Sequence, residues 1–257
     1  MDKLSQSFFL PGEVALIGAG PGDPELLTLK ALKYLQAADV VLVDDLVNPL
    51  ILKHINRNAR IIEVGKRGGC NSTPQSFIEK QLISEAKSGR RVVRLKGGDP
   101  LLFGRGGEEM EVLHLAGIKV TVINGVSSGF AAANSLGVSL THRECAAGVV
   151  FVTGHLKNAQ EQPNWDVLVK TGMTLVVYMG LSRCAEIQTQ LINAGMAPDT
   201  PVGLVQSATC ETQQVVTTRL SSLRHTAEQR QLKSPVIIII GDVVHGARQI
   251  QNMSKAA

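Results

Sequence analysis

The chain has 257 residues, 44% hydrophobic and 19% charged, enough for one large domain or two compact lobes with a sizeable core. A formal charge of +4, with its cations scattered along the chain, and only 4% aromatic residues argue against a nucleic-acid-binding surface while suiting a small acidic ligand. No apolar stretch is long enough to span a bilayer, residues 1–12 lack a signal-peptide pattern, and Cys70, Cys145, Cys184 and Cys210 form no CxxC pair, so the expectation is a cytoplasmic protein with neither membrane nor metal.

In the first half, short β-branched runs alternate with helical spacing. Strands are predicted at 14–17, 40–43, 60–64, 92–95 and 119–123, and helices at 26–37, 49–55, 75–87 and 107–116. Thr73 reads as the N-cap of the third helix, with Pro74 at its first position. Such alternation predicts a mostly parallel sheet covered by helices. The second half reads differently. Its strands are predicted at 149–152, 174–178, 202–206, 214–218 and 235–240, with one clear helix at 182–194. The short connection 206–214 predicts an antiparallel pair, so the sheet is expected to be mixed. A boundary between two α/β lobes is placed at residue 125, giving lobes 12–125 and 126–246.

Three glycine-rich turns close apolar runs. They are Gly18-Ala-Gly-Pro-Gly-Asp-Pro24, Lys96-Gly-Gly-Asp-Pro100 and Tyr178-Met-Gly180. Open α/β sheets bind ligands outside the carboxyl ends of their strands, where glycine lets backbone approach a ligand. The first turn half-fits the dinucleotide fingerprint, but Asp23 stands where its third glycine belongs, and Pro21 stiffens the turn. Asp44 and Asp45 lie where a nicotinamide ribose would find its carboxylate, so spacing leaves a dinucleotide site and a ligand-free turn both open. No Gly-Lys-Ser/Thr follows, which excludes a P-loop.

Longer segments are more specific. Val14-Ala-Leu-Ile-Gly-Ala-Gly-Pro-Gly-Asp-Pro-Glu-Leu-Leu-Thr28 is followed by Ala38-Asp-Val-Val-Leu-Val-Asp-Asp-Leu-Val47 and Val64-Gly-Lys-Arg67. Then come Val92-Val-Arg-Leu-Lys-Gly-Gly-Asp-Pro-Leu-Leu-Phe-Gly-Arg-Gly-Gly-Glu-Glu109, Leu140-Thr-His-Arg143, Thr153-Gly-His155 and Tyr178-Met-Gly180. Seven segments in this order resemble the tetrapyrrole methylase family over residues 12–244. Two positions depart from its usual pattern. Asn124 precedes Gly125 where the family usually has proline, and Ser207-Ala-Thr209 stands where Asn-Gly-Thr is frequent. Both changes are small in volume.

The resemblance implies two α/β lobes with mixed sheets and the active site in the cleft between them. It implies methyl transfer from S-adenosylmethionine to carbons 2 and 7 of uroporphyrinogen III, giving precorrin-2, by a homodimer. A related activity on a later corrin intermediate, or non-catalytic tetrapyrrole binding, are the alternatives. No fused dehydrogenase–ferrochelatase module is expected, so the product would be handed on. The donor contacts carried over are Pro21, Gly97, Gly98, Asp99, Leu102, Ser127, Ser128, Met179 and Ala208, with Asp99 accepting from the donor ammonium. Asp44 is implied as proton acceptor and Lys66 as proton donor. Arg105 joins them as a candidate for a direct role, read first as a carboxylate clamp because an arginine is a poor base. Arg67, Lys96, Glu108, His142 and Arg143 are implied substrate contacts, the cations suiting a substrate with eight carboxylates. His155 is either a buried structural histidine or a further contact.

Overall fold

A strand that is apolar at every position is one covered on both faces. In the computed structural model, which describes residues 8–65, 73–155 and 163–245, β1 (Val14–Gly18) is such a strand. It lies in a sheet with β2 (Val40–Val43), β3 (Arg60–Glu63), β4 (Val92–Lys96) and β5 (Val120–Ile123), in the order β3-β2-β4-β1-β5. All of its pairings are parallel, as the alternation of strands and helices predicts for this half. Helices α1 (Leu29–Ala37), α2 (Gln75–Lys87) and α3 (Gly106–Leu115) cover it. Ala15 and Ile17 join Ala31 and Leu35 in one core. Val14 and Leu16 point the other way and join Ile78, Leu82 and Leu113 in another.

The winding of this sheet positions its site. From β1 the chain passes through α1 to β2 on one side; from β4 it passes through α3 to β5 on the other. Adjacent strands β1 and β4 therefore flank a topological switch point, and the crevice outside their carboxyl ends is where such sheets hold ligands.

The second sheet comprises β6 (Val149–Thr153), β7 (Thr174–Tyr178), β8 (Pro201–Gln206), β9 (Gln214–Arg219) and β10 (Val236–Ile240), in the order β6-β7-β10-β8-β9. Only β6 and β7 pair in parallel; β8 and β9 form the antiparallel pair that their short connection requires. Helices α5 (Trp165–Lys170), α6 (Cys184–Asn193) and α7 (Leu223–Gln229) contribute Trp165, Ile187, Leu191 and Leu223 to the core on one face. Helix α4 (Ser128–Leu136) packs against β7, β8 and β10, and Gly203 on β8 makes room for Leu136. The chain divides into compact units Met1–Ser127 and Ser128–Ala257. Among the described residues no helix is long and apolar enough to cross a membrane.

Several local expectations need correction. The first helix does not begin at 26: Asp23 caps a short 3-10 turn, Pro24–Leu26, and α1 restarts after Thr28, whose Oγ1 accepts from Ala31 N at 3.2 Å. Residues 49–55 form a 3-10 helix, Pro49–His54, rather than an α-helix. Thr73 is not the N-cap of α2. Pro74 is itself extended at ψ 135°, so the helix starts one residue later, and the Thr73 hydroxyl donates to Gly65 O instead. Helix α4 escapes prediction because its buried face is Gly129, Ala131, Ala132 and Ala133, small residues that carry little hydrophobic periodicity. Helices α5 and α7 have six and seven residues, too few to show a period.

Candidate functional site

The glycines at the ends of β1 and β4 are required first by one another. A Cβ on Gly18 would come within 2.4 Å of Gly125 N and 2.5 Å of Gly98 O, and one on Gly125 within 2.3 Å of Gly98 O. Gly20 and Gly98 bond backbone to backbone in both directions, at 3.2 and 2.7 Å, and Gly98 has φ +66°. Three strand ends are thus knotted together at the switch point, with Gly18 and Gly20 buried and Gly98 and Gly125 half-buried. Gly97 is glycine for another reason: its Cβ would lie 2.8 Å from that of Leu46. Asp99 ties the knot. Its Oδ2 accepts from Asn124 Nδ2 at 3.0 Å and Gly125 N at 3.2 Å, and its Oδ1 from Leu101 N at 2.9 Å. The unusual Asn124 therefore supplies a bond to the Asp99 carboxylate. Pro21 and Leu102 flank this region half-buried, and Ser127 is buried.

Beside the knot, at the carboxyl ends of β2 and β4, lies a pocket of about 240 Å³. Asp44, Arg94, Lys96 and Arg105 are among its lining residues. Asp44 is partly exposed, and Arg94 Nη2 stands 3.7 Å from its Oδ1. Behind them Glu109, fully buried, accepts from Arg94 Nε at 3.1 Å, from Lys96 Nζ at 2.9 and 3.0 Å and from Gln75 Nε2 at 3.2 Å. A buried carboxylate is tolerated only with such complete pairing. Burial pushes the Lys96 ammonium below the ordinary lysine range and Arg94 adds to this, while Glu109 and Asp44 oppose it. Sequence reasoning singled out Lys96 but missed Arg94, Glu109 and Gln75. The available signal was a charged residue inside the apolar run of β4.

Arg105 sits at the N-cap of α3 with φ 57°, where Gly104 and Gly106 wrap the carbonyl of Pro100. Its exposed guanidinium is held by Glu108, Nε to Oε1 at 2.9 Å and Nη2 to Oε2 at 2.5 Å. That carboxylate raises the Arg105 pKa further, so the side chain stays a cation. The expected Lys66 and Arg67 lie outside the described residues.

In the second unit, β6, β7 and β8 all run opposite to β10, so their carboxyl ends share one edge. A Cβ on Gly154 would lie 2.6 Å from Gly180 Cα, which explains the glycines in the two motifs that end β6 and β7. Met179 is exposed with φ 53°, and Ser207 and Thr209 flank buried Ala208 with φ 47° and 65°. Non-glycine residues in the left-handed region concentrate at ligand clamps, because surrounding bonds must hold them. Here Gln213 Oε1 accepts from Thr209 N at 2.7 Å and from Ser135 Oγ at 2.8 Å. Tyr178 OH accepts from Gly129 N at 2.8 Å and anchors the start of α4 beside half-buried Ser128. His142 and Arg143 are exposed on a turn closed by His142 and Ala146. His155 is exposed too, which overturns its reading as a buried structural residue. An open groove of about 820 Å³ beside α5 and α6 contains none of the motif residues. Among the described residues no group of three His, Cys, Asp or Glu side chains could hold a metal ion.

A parallel sheet with a glycine knot at its switch point, and a second, mixed sheet with strained loops at one edge, are the architecture of one class. The chain belongs to the tetrapyrrole (corrin/porphyrin) methylases, whose family model matches residues 13–224. More particularly, it is 51% identical over 234 residues to the uroporphyrinogen-III C-methyltransferase of Pseudomonas aeruginosa, covering 91% of this chain and 95% of that protein. It is 47% identical to siroheme synthase 2 of Aeromonas hydrophila, but spans only about half (51%) of that protein's length. Among solved structures, the uroporphyrin-III C-methyltransferase of Thermus thermophilus complexed with S-adenyl homocysteine superposes with a TM-score of 0.78 at 38% identity, covering 90% of this chain and 93% of that one. A cobalt precorrin-4 methyltransferase does so with a TM-score of 0.81 at 28% identity, covering 91% and 96%.

Proposed function

We propose that this protein transfers methyl groups from S-adenosylmethionine to carbons 2 and 7 of uroporphyrinogen III, giving precorrin-2. The observation that carries the reading is a partly exposed carboxylate, Asp44, in a pocket that also presents Arg94, Lys96 and Arg105. Such a pocket combines an acceptor for a proton with cations for an octacarboxylate. Identity of 51% to a uroporphyrinogen-III C-methyltransferase, against 28% to a cobalt precorrin-4 methyltransferase, favours the early macrocycle over a later corrin.

The chain's own residues suit the donor. Backbone at Gly97, and strained loops around Met179 and Ala208, offer N–H and C=O groups to an adenine and an amino acid, while Gly98, whose own N–H is bonded to Gly20, lets the ligand come close. Pro21, Leu102, Ser127 and Ser128 complete that contact set. Asp99 acts mainly by holding the knot, with its remaining acceptor capacity facing the ammonium. When bound, the donor supplies an electrophilic methyl group on a sulfonium. The residues then align the pyrrole carbon with it, a contribution of proximity. Each methyl cation added is balanced by net loss of one proton from the macrocycle: Asp44 accepts what the ring sheds, and Lys66 supplies a proton only where a second one is shed as the double bonds shift. Arg105, Arg67, Lys96, His142 and Arg143 hold substrate carboxylates, with Glu108 keeping Arg105 in place until substrate arrives. The enzyme works as a cytoplasmic homodimer, each protomer built of the lobes 12–125 and 126–246.

The test is anaerobic incubation of the purified protein with S-adenosylmethionine and enzymatically generated uroporphyrinogen III. Mass analysis should show two methyl groups added per macrocycle and two equivalents of S-adenosylhomocysteine. A folded protein that yields neither product overturns the reading, and one that methylates only a later corrin replaces it.

A further inference from the structure

Glu109 touches no solvent and no surface of the pocket, yet it commands both buried cations of the floor. It takes two of the three N–H bonds of Lys96 and orients Arg94 through Nε. The third N–H of Lys96 has no protein acceptor among the described residues, and Lys96 lines the pocket. We infer that Glu109 is a positioning residue that keeps Lys96 protonated and aimed, so that Lys96 is the titrating cation with which the pocket receives a carboxylate of the tetrapyrrole. This inference rests on the proposed function for the identity of the ligand.

The charges around Lys96 make its protonation a balance. Arg94 on the same strand opposes its charge; Glu109 from α3 and Asp44 from the end of β2 support it. Asp45 and Arg105 line the same pocket, and Gln75 from α2 contributes an uncharged donor to Glu109. An opposite charge within hydrogen-bond distance supports a protonated lysine by about 1–3 pH units. Glu109 is hydrogen-bonded to the ammonium and supports it more than Asp44 does, so its loss removes the largest support.

The experiment measures affinity for uroporphyrin III, a stable polycarboxylate probe, by fluorescence from neutral to alkaline pH in the intact protein. Wild-type affinity should fall as Lys96 loses its proton. Glu109→Gln should move that fall to lower pH by about 1–3 units, and Glu109→Asp, which keeps the charge, should largely restore it. Lys96→Arg should abolish the fall, because a guanidinium keeps its proton throughout. Merely structural damage would lower affinity at every pH without moving the midpoint. If Glu109→Gln does not fold, Glu109→Asp and Lys96→Arg still decide the matter: an unmoved midpoint in Lys96→Arg overturns the inference. Absence of uroporphyrin binding by the wild-type protein overturns it as well. The methyl-transfer assay is scored separately, so binding with this pH pattern but no methylation would retire the proposed reaction and leave the inference standing.

Discussion

At the scale of single residues, the same amino acid type serves different ends within one motif. Gly98 is needed for its left-handed backbone, Gly97 because Leu46 occupies the place of its Cβ, and Gly106 because the Pro100 carbonyl does. Asp44 and Asp99 also divide: one is partly exposed in a pocket, the other is bound to three donors of its own unit. If Asp44 takes the proton, Asp44→Asn should bind both ligands and lose about 10²–10⁴-fold in single-turnover rate; chemistry at full rate removes it from the mechanism. Arg105 faces a different constraint, because Glu108 already occupies its fork. An exposed pair of this kind is worth only about 0–1 kcal/mol, so a substrate carboxylate can displace it. Glu108→Gln should therefore lower KM for the macrocycle by up to about fivefold without a change in thermal midpoint, and a raised KM would show instead that Glu108 itself helps to hold substrate.

At the scale of elements, ties between neighbouring strands set the stage on which the loops stand. Asp39 precedes β2 and Arg91 precedes β4, and the two residues share a bidentate pair at 2.7 and 3.0 Å plus a bond from Arg91 N at 2.8 Å. The Arg91 guanidinium holds the Asp39 carboxyl below its ordinary value of 3.8. A carboxylate with a depressed folded-state pKa contributes stability that is complete above its unfolded value and lost as pH falls through the folded one. Thermal melts of the wild type should therefore weaken on acidification below about pH 4, and Asp39→Asn should flatten part of that decline while lowering the midpoint near neutrality. Because the pair is about one-third exposed, solvent screening keeps the effect modest. An acid limb identical in variant and wild type would mean that other carboxylates carry it. In the second unit the corresponding tie is Gln213, which joins the loop after β8 to α4 through Thr209 and Ser135.

At the scale of the whole molecule, each unit has its own sheet and its own core. Ile238, fully buried in the strand between β7 and β8, belongs to the core shared with α5, α6 and α7. Ile238→Ala should destabilise the second unit by about 2–5 kcal/mol in urea unfolding. A change under about 1 kcal/mol would mean that the site collapses around the smaller side chain. Motif residues come from both units: the glycine knot and the charged pocket from the first, the strained loops from the second.

The sequence by itself determined the ten strands to within a residue or so at each end, the helices with a broad apolar face, and the glycine turns as the places to look. These follow from local causes: apolar runs, helical spacing and the conformational freedom of glycine act within a few residues of chain. Tertiary structure alone decided what each glycine avoids, which carboxylate faces a pocket, and that Arg94, Lys96 and Glu109 form one buried cluster closed by half-buried Gln75. Gln75 and Glu109 are 34 residues apart, and Asp99 and Gly125 are 26 apart. Helix α4 was hidden in the same way, because alanine and glycine show their value only against the sheet they allow to come close. Pairing between distant charges and close approach of distant backbones leave no periodic trace in the chain, since their energy arises only once folding has removed the water between them.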